Sequence, residues 1–135
     1  MGLQFHHIGV ACLDLEAETR RLATLGYVVE GVDFTDTIQG VRGRFLNGGG
    51  PRLELLAPLT EVGVLTPWLK AGVKLYHLGY ETTDFDSDLA RMRSAGAKVV
   101  VPPVPAVAFD TRLIVFLMMP NMLLTELIAI KSLTK

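Results

Sequence analysis

Apolar and polar positions along the 135-residue chain fall into two matching sets of elements. FHHIGVA (5–11) and LYHLGYET (75–82) read as short strands, because aliphatic and aromatic residues alternate with smaller or polar ones. Each leads into an aspartate, Asp14 or Asp84, whose carboxylate suits the cap of a following helix by accepting from free backbone N–H groups. Leu15, Leu22 and Leu25 in the first helix, and Phe85, Leu89 and Met92 in the second, recur at intervals of three, four and seven that predict one buried face. Gly26 and Gly96 then stand where a helix C-terminus favours a residue tolerant of positive φ. Strands follow at YVVEGVDF (27–34), QGVRGRFL (39–46) and RLELLAP (52–58), and again at KVVVP (98–102), TRLIVFL (111–117) and MLLTELIAI (122–130). The order in each half is βαβββ, and EVGVLTPWLKAG (61–72) predicts a short connecting helix between the halves.

The two halves align. HIGVACLDLEAETRRLATLG (7–26) lies over HLGYETTDFDSDLARMRSAG (77–96) at a constant offset of 70. Five positions are identical: His7 with His77, Gly9 with Gly79, Asp14 with Asp84, Arg21 with Arg91, and Gly26 with Gly96. ELLA (54–57) matches ELIA (126–129) at an offset of 72, the shift that a loop-length difference produces. An internal repeat of this kind decides the architecture before any single element does. The expected class is α+β: module 1 at about 3–59, a connecting segment at about 60–73 and module 2 at about 74–131, packed as one domain over 1–135.

Half of the residues are hydrophobic, enough for a proper core at this length. A formal net charge of −1 and scattered basic residues make nucleic acid an unsuitable partner. The single cysteine, Cys12, falls on Thr82 in the other copy; it forms no internal disulfide or Cys-x-x-Cys motif and is assigned to packing. No apolar run approaches the roughly 20 residues of a membrane span. No signal-peptide pattern opens the chain, so a cytoplasmic location is expected, with no membrane partner.

Candidate chemistry emerges from the repeat. Side chains alternate along a strand, so His6 and His7 face opposite ways. The repeat selects His7, because His7 and not His6 falls on His77; His6 is expected to be structural. The same logic picks Glu54 and Glu126, each set among aliphatic residues where an isolated carboxylate is costly. Two imidazoles and two carboxylates would compensate one another by converging on a divalent cation.

The pattern HHIGV, LELLAPL, a helix ending near WLKAG, YHLGYE and a terminal TELIA covers nearly the whole chain in order. It resembles the vicinal oxygen chelate superfamily, and within it the methylmalonyl-CoA epimerase-like branch. That resemblance implies a curved, partly closed mixed sheet around a metal-binding cleft, with His7, Glu54, His77 and Glu126 as ligands. The ion would be Co, Ni, Mn, Zn or Fe, leaving adjacent positions open for vicinal oxygens. Such a centre polarises a carbonyl while a base takes a proton from the neighbouring carbon. Glu126 and Glu54 are the carboxylates available for that role. Arg112, Arg44, Gln39 and Met118 are candidates to contact substrate, and a homodimer is expected by resemblance.

The chain also departs from the epimerases. It keeps Gln39-Gly40-Val41, but two residues further on, where those enzymes place a second glutamate base, it carries Gly43. A two-base inversion loses one of its groups. The leading expectation is therefore a metal-dependent, epimerase-like isomerase acting on an acyl-CoA thioester. The alternatives are a glyoxalase I-type lactoylglutathione lyase acting on a glutathione hemithioacetal, and a non-catalytic protein that binds a small molecule such as an antibiotic.

Overall fold

The computed structural model describes residues 2–130. Met1 and residues 131–135 lie outside the described residues, and with them the last position of the expected second module. Residues 7–76 form one compact unit, while the residues up to His6 join those from His77 onward in the other. Each unit carries its own helix-backed strands. Together they make the α+β pattern of two βαβββ modules.

Strand β1 (Leu3–Ala11) runs into α1 (Leu15–Ala23), followed by β2 (Val28–Asp36), β3 (Val41–Asn47) and β4 (Leu53–Pro58). In the first unit the strands are ordered β2-β3-β4-β1. β1 and β4 are parallel, and both β2–β3 and β3–β4 are antiparallel. Ile8, Val10, Leu46, Leu53, Leu55 and Ala57 point to one face and pack with Cys12, Leu15, Leu22 and Tyr27. Those positions alternate with His7, Gly9, Phe45, Glu54 and Leu56, which strand geometry turns to the opposite face.

The second unit repeats this plan with β5 (Leu75–Thr82), α3 (Phe85–Ser94), β6 (Lys98–Ala106), β7 (Arg112–Met118) and β8 (Leu124–Ala129). Its order is β5-β8-β7-β6, with β5–β8 parallel and the other pairs antiparallel. Met92, Ala97, Val115, Leu117 and Leu127 form its helix-side core, with Tyr80, Phe85 and Leu89 packed against it. The expected helix faces thus hold, apart from Leu25. That residue is two-thirds exposed, since α1 ends at Ala23 and residues 24–26 turn away.

Three other differences have local causes. The connecting helix, α2 (Thr66–Ala71), begins later than expected because residues 60–65 form turns and Pro67 fits only the first helical turn. Gly72 ends it with φ at 72°. β6 does not stop at Pro102 but continues to Ala106, since an edge strand tolerates prolines that offer no N–H, and its register with β7 shifts near them. A single 3-10 turn (Val107–Phe109) then precedes β7.

The helix starts differ as well. Asp14 accepts from the N–H groups of Glu16 and Ala17 at 2.9 and 3.2 Å, as expected of a cap. Asp84 makes no such side-chain bond. Its own N–H instead donates to Thr82 Oγ1 at 2.9 Å, and that hydroxyl donates to buried Asp88 at 2.5 Å. The Cys12/Thr82 mismatch between the repeats is therefore functional in a structural sense: the second helix is anchored by a hydroxyl relay where the first uses its cap. Asp14→Ala should cost about 1 kcal/mol, Asp84→Ala less than half of that, and Thr82→Val about 1–3 kcal/mol by stripping a partner from Asp88, all measured by urea unfolding.

Candidate functional site

In the first unit, backbone pairing sets the geometry of the site. β1 and β4 are parallel with Gly9 opposite Glu54, so His7, two residues earlier on the same face, lies beside that carboxylate. His7 Nε2 stands 3.2 Å from Glu54 Oε1, and both side chains are buried. Phe45 pairs with Glu54 across β3–β4, and its ring meets the His7 imidazole edge-on, with centroids 5.9 Å apart and planes at 79°.

The second unit builds the same arrangement from its own strands. Gly79 is opposite Glu126 on the parallel β5–β8 pair, and His77 Nε2 lies 3.1 Å from Glu126 Oε1, again fully buried. Phe116 pairs with Glu126 across β7–β8 and packs edge-on against His77, with centroids 5.0 Å apart and planes at 87°. Phe45 and Phe116 are missing from the residues that the sequence singles out. They sit 71 positions apart, between the two offsets of the repeat, and that spacing was the signal available for finding them.

Each pair tests the fit of a metal ion. Two ligands held 2.0–2.2 Å from one ion at a right angle lie about 3 Å apart, which matches the nitrogen–oxygen separation in both pairs. Imidazole nitrogen with carboxylate oxygen is a donor set suited to first-row divalent ions. A buried edge-on phenyl ring beside each histidine limits its rotation and keeps bulk water from that side.

The remaining predicted residues are placed as follows. Arg44 is buried on the α1 side of β3, alternating with Phe45. Its Nε and Nη2 donate to the two carboxylate oxygens of Asp33, each at 2.7 Å; Nη2 also donates to Glu16 at 2.7 Å and Nη1 to Thr19 Oγ1 at 3.0 Å. These bonds hold the Asp33 and Glu16 carboxyls below their usual range and raise the guanidinium further. Arg112 donates to the Phe109 and Ala129 carbonyls at 3.1 and 3.0 Å and to Glu81 at 3.1 Å, with its guanidinium 5.8 Å from the Phe109 ring centre. Gln39 is half-buried in the β2–β3 turn, where its N–H and Nε2 both donate to Asp36. Met118 is half-buried at the end of β7. His6 lies edge-on against Phe109. Cys12 is enclosed beneath α1, and burial pushes its thiol up to about 11, so it offers no nucleophile at neutral pH.

With this geometry in view, comparison with known proteins identifies the class. Residues 6–116 match the family model of the Glyoxalase/Bleomycin resistance protein/Dioxygenase superfamily, and the chain belongs to that superfamily. Within it, the relatives are those of the methylmalonyl-CoA epimerase-like branch. The ethylmalonyl-CoA/methylmalonyl-CoA epimerase of Cereibacter sphaeroides is 28% identical over 117 residues, covering 84% of this chain and 87% of its own. The structure of a Streptomyces coelicolor methylmalonyl-CoA epimerase variant in complex with 2-nitronate-propionyl-CoA is 32% identical, with a TM-score of 0.80 over 99% of this chain and 100% of that one. The Mycobacterium tuberculosis methylmalonyl-CoA epimerase is 26% identical, with a TM-score of 0.77 over 93% of this chain and 86% of its own. Among the described residues no helix is long and apolar enough to cross a membrane.

Arg44 ties α1 to β2 and β3 through carboxylates whose depressed pKa values make the contribution present at neutral pH and lost as the pH falls through them. Arg44→Met should therefore lower the melting temperature at pH 7, and the gap to the parent protein should narrow by pH 3, as thermal melts at the two pH values will show.

Proposed function

We propose that the protein is a divalent-metal-dependent, epimerase-like enzyme that removes a proton from the carbon next to the thioester carbonyl of a small acyl-CoA. The observation that carries this reading is the duplicated His–Glu–Phe arrangement: His7, Glu54 and Phe45 in one module, His77, Glu126 and Phe116 in the other. In this reading the two pairs, one from each module, offer four ligand atoms to one ion. Support for the substrate class comes from the relatives, which are epimerases of methylmalonyl-CoA and ethylmalonyl-CoA.

A divalent ion at these four residues supplies Lewis acidity toward a carbonyl oxygen. The protein's own groups do the rest. His7 and His77 are ligands fixed by strand register and aromatic packing. Glu126 is the base: its carboxylate takes the α-proton of the substrate and gives it back, while Glu54 remains a ligand. Gln39, Met118 and Arg112 contact the substrate in this reading. Arg44, with two carboxylates already on its guanidinium, serves the fold instead. The protein acts in the cytoplasm, and a homodimer is the proposed assembly.

The test is hydrogen exchange. Protein supplied with Co²⁺ should exchange the α-proton of methylmalonyl-CoA for deuterium in D₂O, followed by NMR, and a chelator should stop it. Glu126→Gln should slow exchange by at least about 100-fold. Exchange that is indifferent to the metal, or a Glu126→Gln protein of full activity, would contradict the proposal. Faster turnover of a glutathione hemithioacetal than of the acyl-CoA would move the protein to the lyase alternative.

A further inference from the structure

The face of the first unit that carries His7 and Glu54 continues past Phe45 to a position with no side chain. On β3, Gly43 is two residues from Phe45 and so shares its face, roughly 7 Å away. Gly43 does not have positive φ, so its backbone makes no demand for glycine. The demand comes from space. A Cβ built there would overlap the Phe34 ring at Cζ and Cε1 and would lie only 2.7 Å from Cε2. Phe34 is directly opposite on β2, across the Phe34–Gly43 pairing.

The Phe34 ring is thus laid over bare backbone, in the volume that a side chain at position 43 would use. It is also joined to the site. Phe34 and Phe45 have ring centres 5.8 Å apart, and Phe45 in turn meets His7 at 5.9 Å. These rings make an aromatic wall that starts at the histidine and runs out along the strands. Two ionisable groups flank this wall: Glu30, opposite Phe45, which accepts from Arg52 Nε at 2.9 Å, and Asp36, opposite Val41 and two residues beyond Phe34. Asp36 is buried and accepts from Gln39 N–H at 3.0 Å and Gln39 Nε2 at 3.3 Å, so it is occupied in holding the turn.

We infer that Phe34 is a specificity-determining residue that closes this wall with an aromatic ring in place of any proton-carrying group, so that the reaction is one-sided. The inference rests on the function proposed above and adds a stereochemical consequence to it. The α C–H bond breaks with its electron pair passing into the adjacent carbonyl, the proton goes to a single base, and a proton or deuteron returns from that base to the same face. Solvent isotope then enters with retention of configuration and without net conversion of the acyl-CoA; inversion requires a proton delivered from outside the Phe34–Phe45 wall. The substituent turned toward Phe34 and Phe45 is apolar, since a charged group there would be desolvated against rings.

Two measurements test this separately from the function on which it rests. The first needs no substrate. Gly43→Ala should lower the melting temperature by about 5 °C or more through overpacking, and the same change made in a Phe34→Ala background should cost less than half as much. An equal penalty in both backgrounds would mean that the ring does not fill the space, and the inference falls. The second uses Co²⁺-loaded protein and a single epimer of methylmalonyl-CoA in D₂O. Deuterium should enter at least ten-fold faster than the opposite epimer appears. Equal rates would overturn the one-sided reaction while leaving the proposed function intact; complete absence of deuterium uptake would overturn both.

Discussion

The structure depends on one constraint: the register of a parallel strand pair. Placing Gly9 opposite Glu54 puts His7 beside the carboxylate, and the same register at Gly79 and Glu126 does this for His77. Because side chains alternate with a period of two, a slip of β1 or β5 by one residue would turn its histidine into the helix-side core and away from its glutamate. The aliphatic partners on the alternate positions prevent that slip. Ile8, Val10, Leu53 and Leu55 in the first module must bury against α1, and their burial fixes the polar pair on the other side. Hydrophobic packing on one face thereby pays for the ordered polar groups on the other.

Much of this was legible in the sequence because duplication amplifies weak signals. A lone histidine in a strand says little, but His7 over His77 and Glu54 over Glu126 identify the four groups, and each pair lies within 3.2 Å. The helix faces were readable from apolar spacing, with Leu25 the exception because no pattern marked the end of α1 at Ala23. What stayed hidden depends on contacts across strands. The role of Phe34 cannot be read from β2 alone, since only the β2–β3 pairing brings its ring over Gly43.

The charged residues show the same limit. Arg44 and Arg112 look alike in the sequence as polar residues in apolar strands, yet strand parity sends Arg44 to the α1 side, where Asp33, Glu16 and Thr19 surround it. Likewise Asp14 and Asp84 occupy equivalent positions, but only Asp14 caps with its side chain; at the second helix Thr82, where the first copy has Cys12, accepts from the Asp84 N–H and donates to Asp88. The repeats have diverged in how each helix is anchored. They have kept the His–Glu–Phe arrangement.

The central claim is that the two arrangements act as one centre, and the stoichiometry of ion binding tests it most directly. Isothermal titration of the ion-stripped protein with Co²⁺ should give one site per chain, and replacing either His7 or His77 by alanine should weaken that same site by at least ten-fold. Two independent sites per chain, or an unchanged affinity when one histidine is removed, would contradict the account.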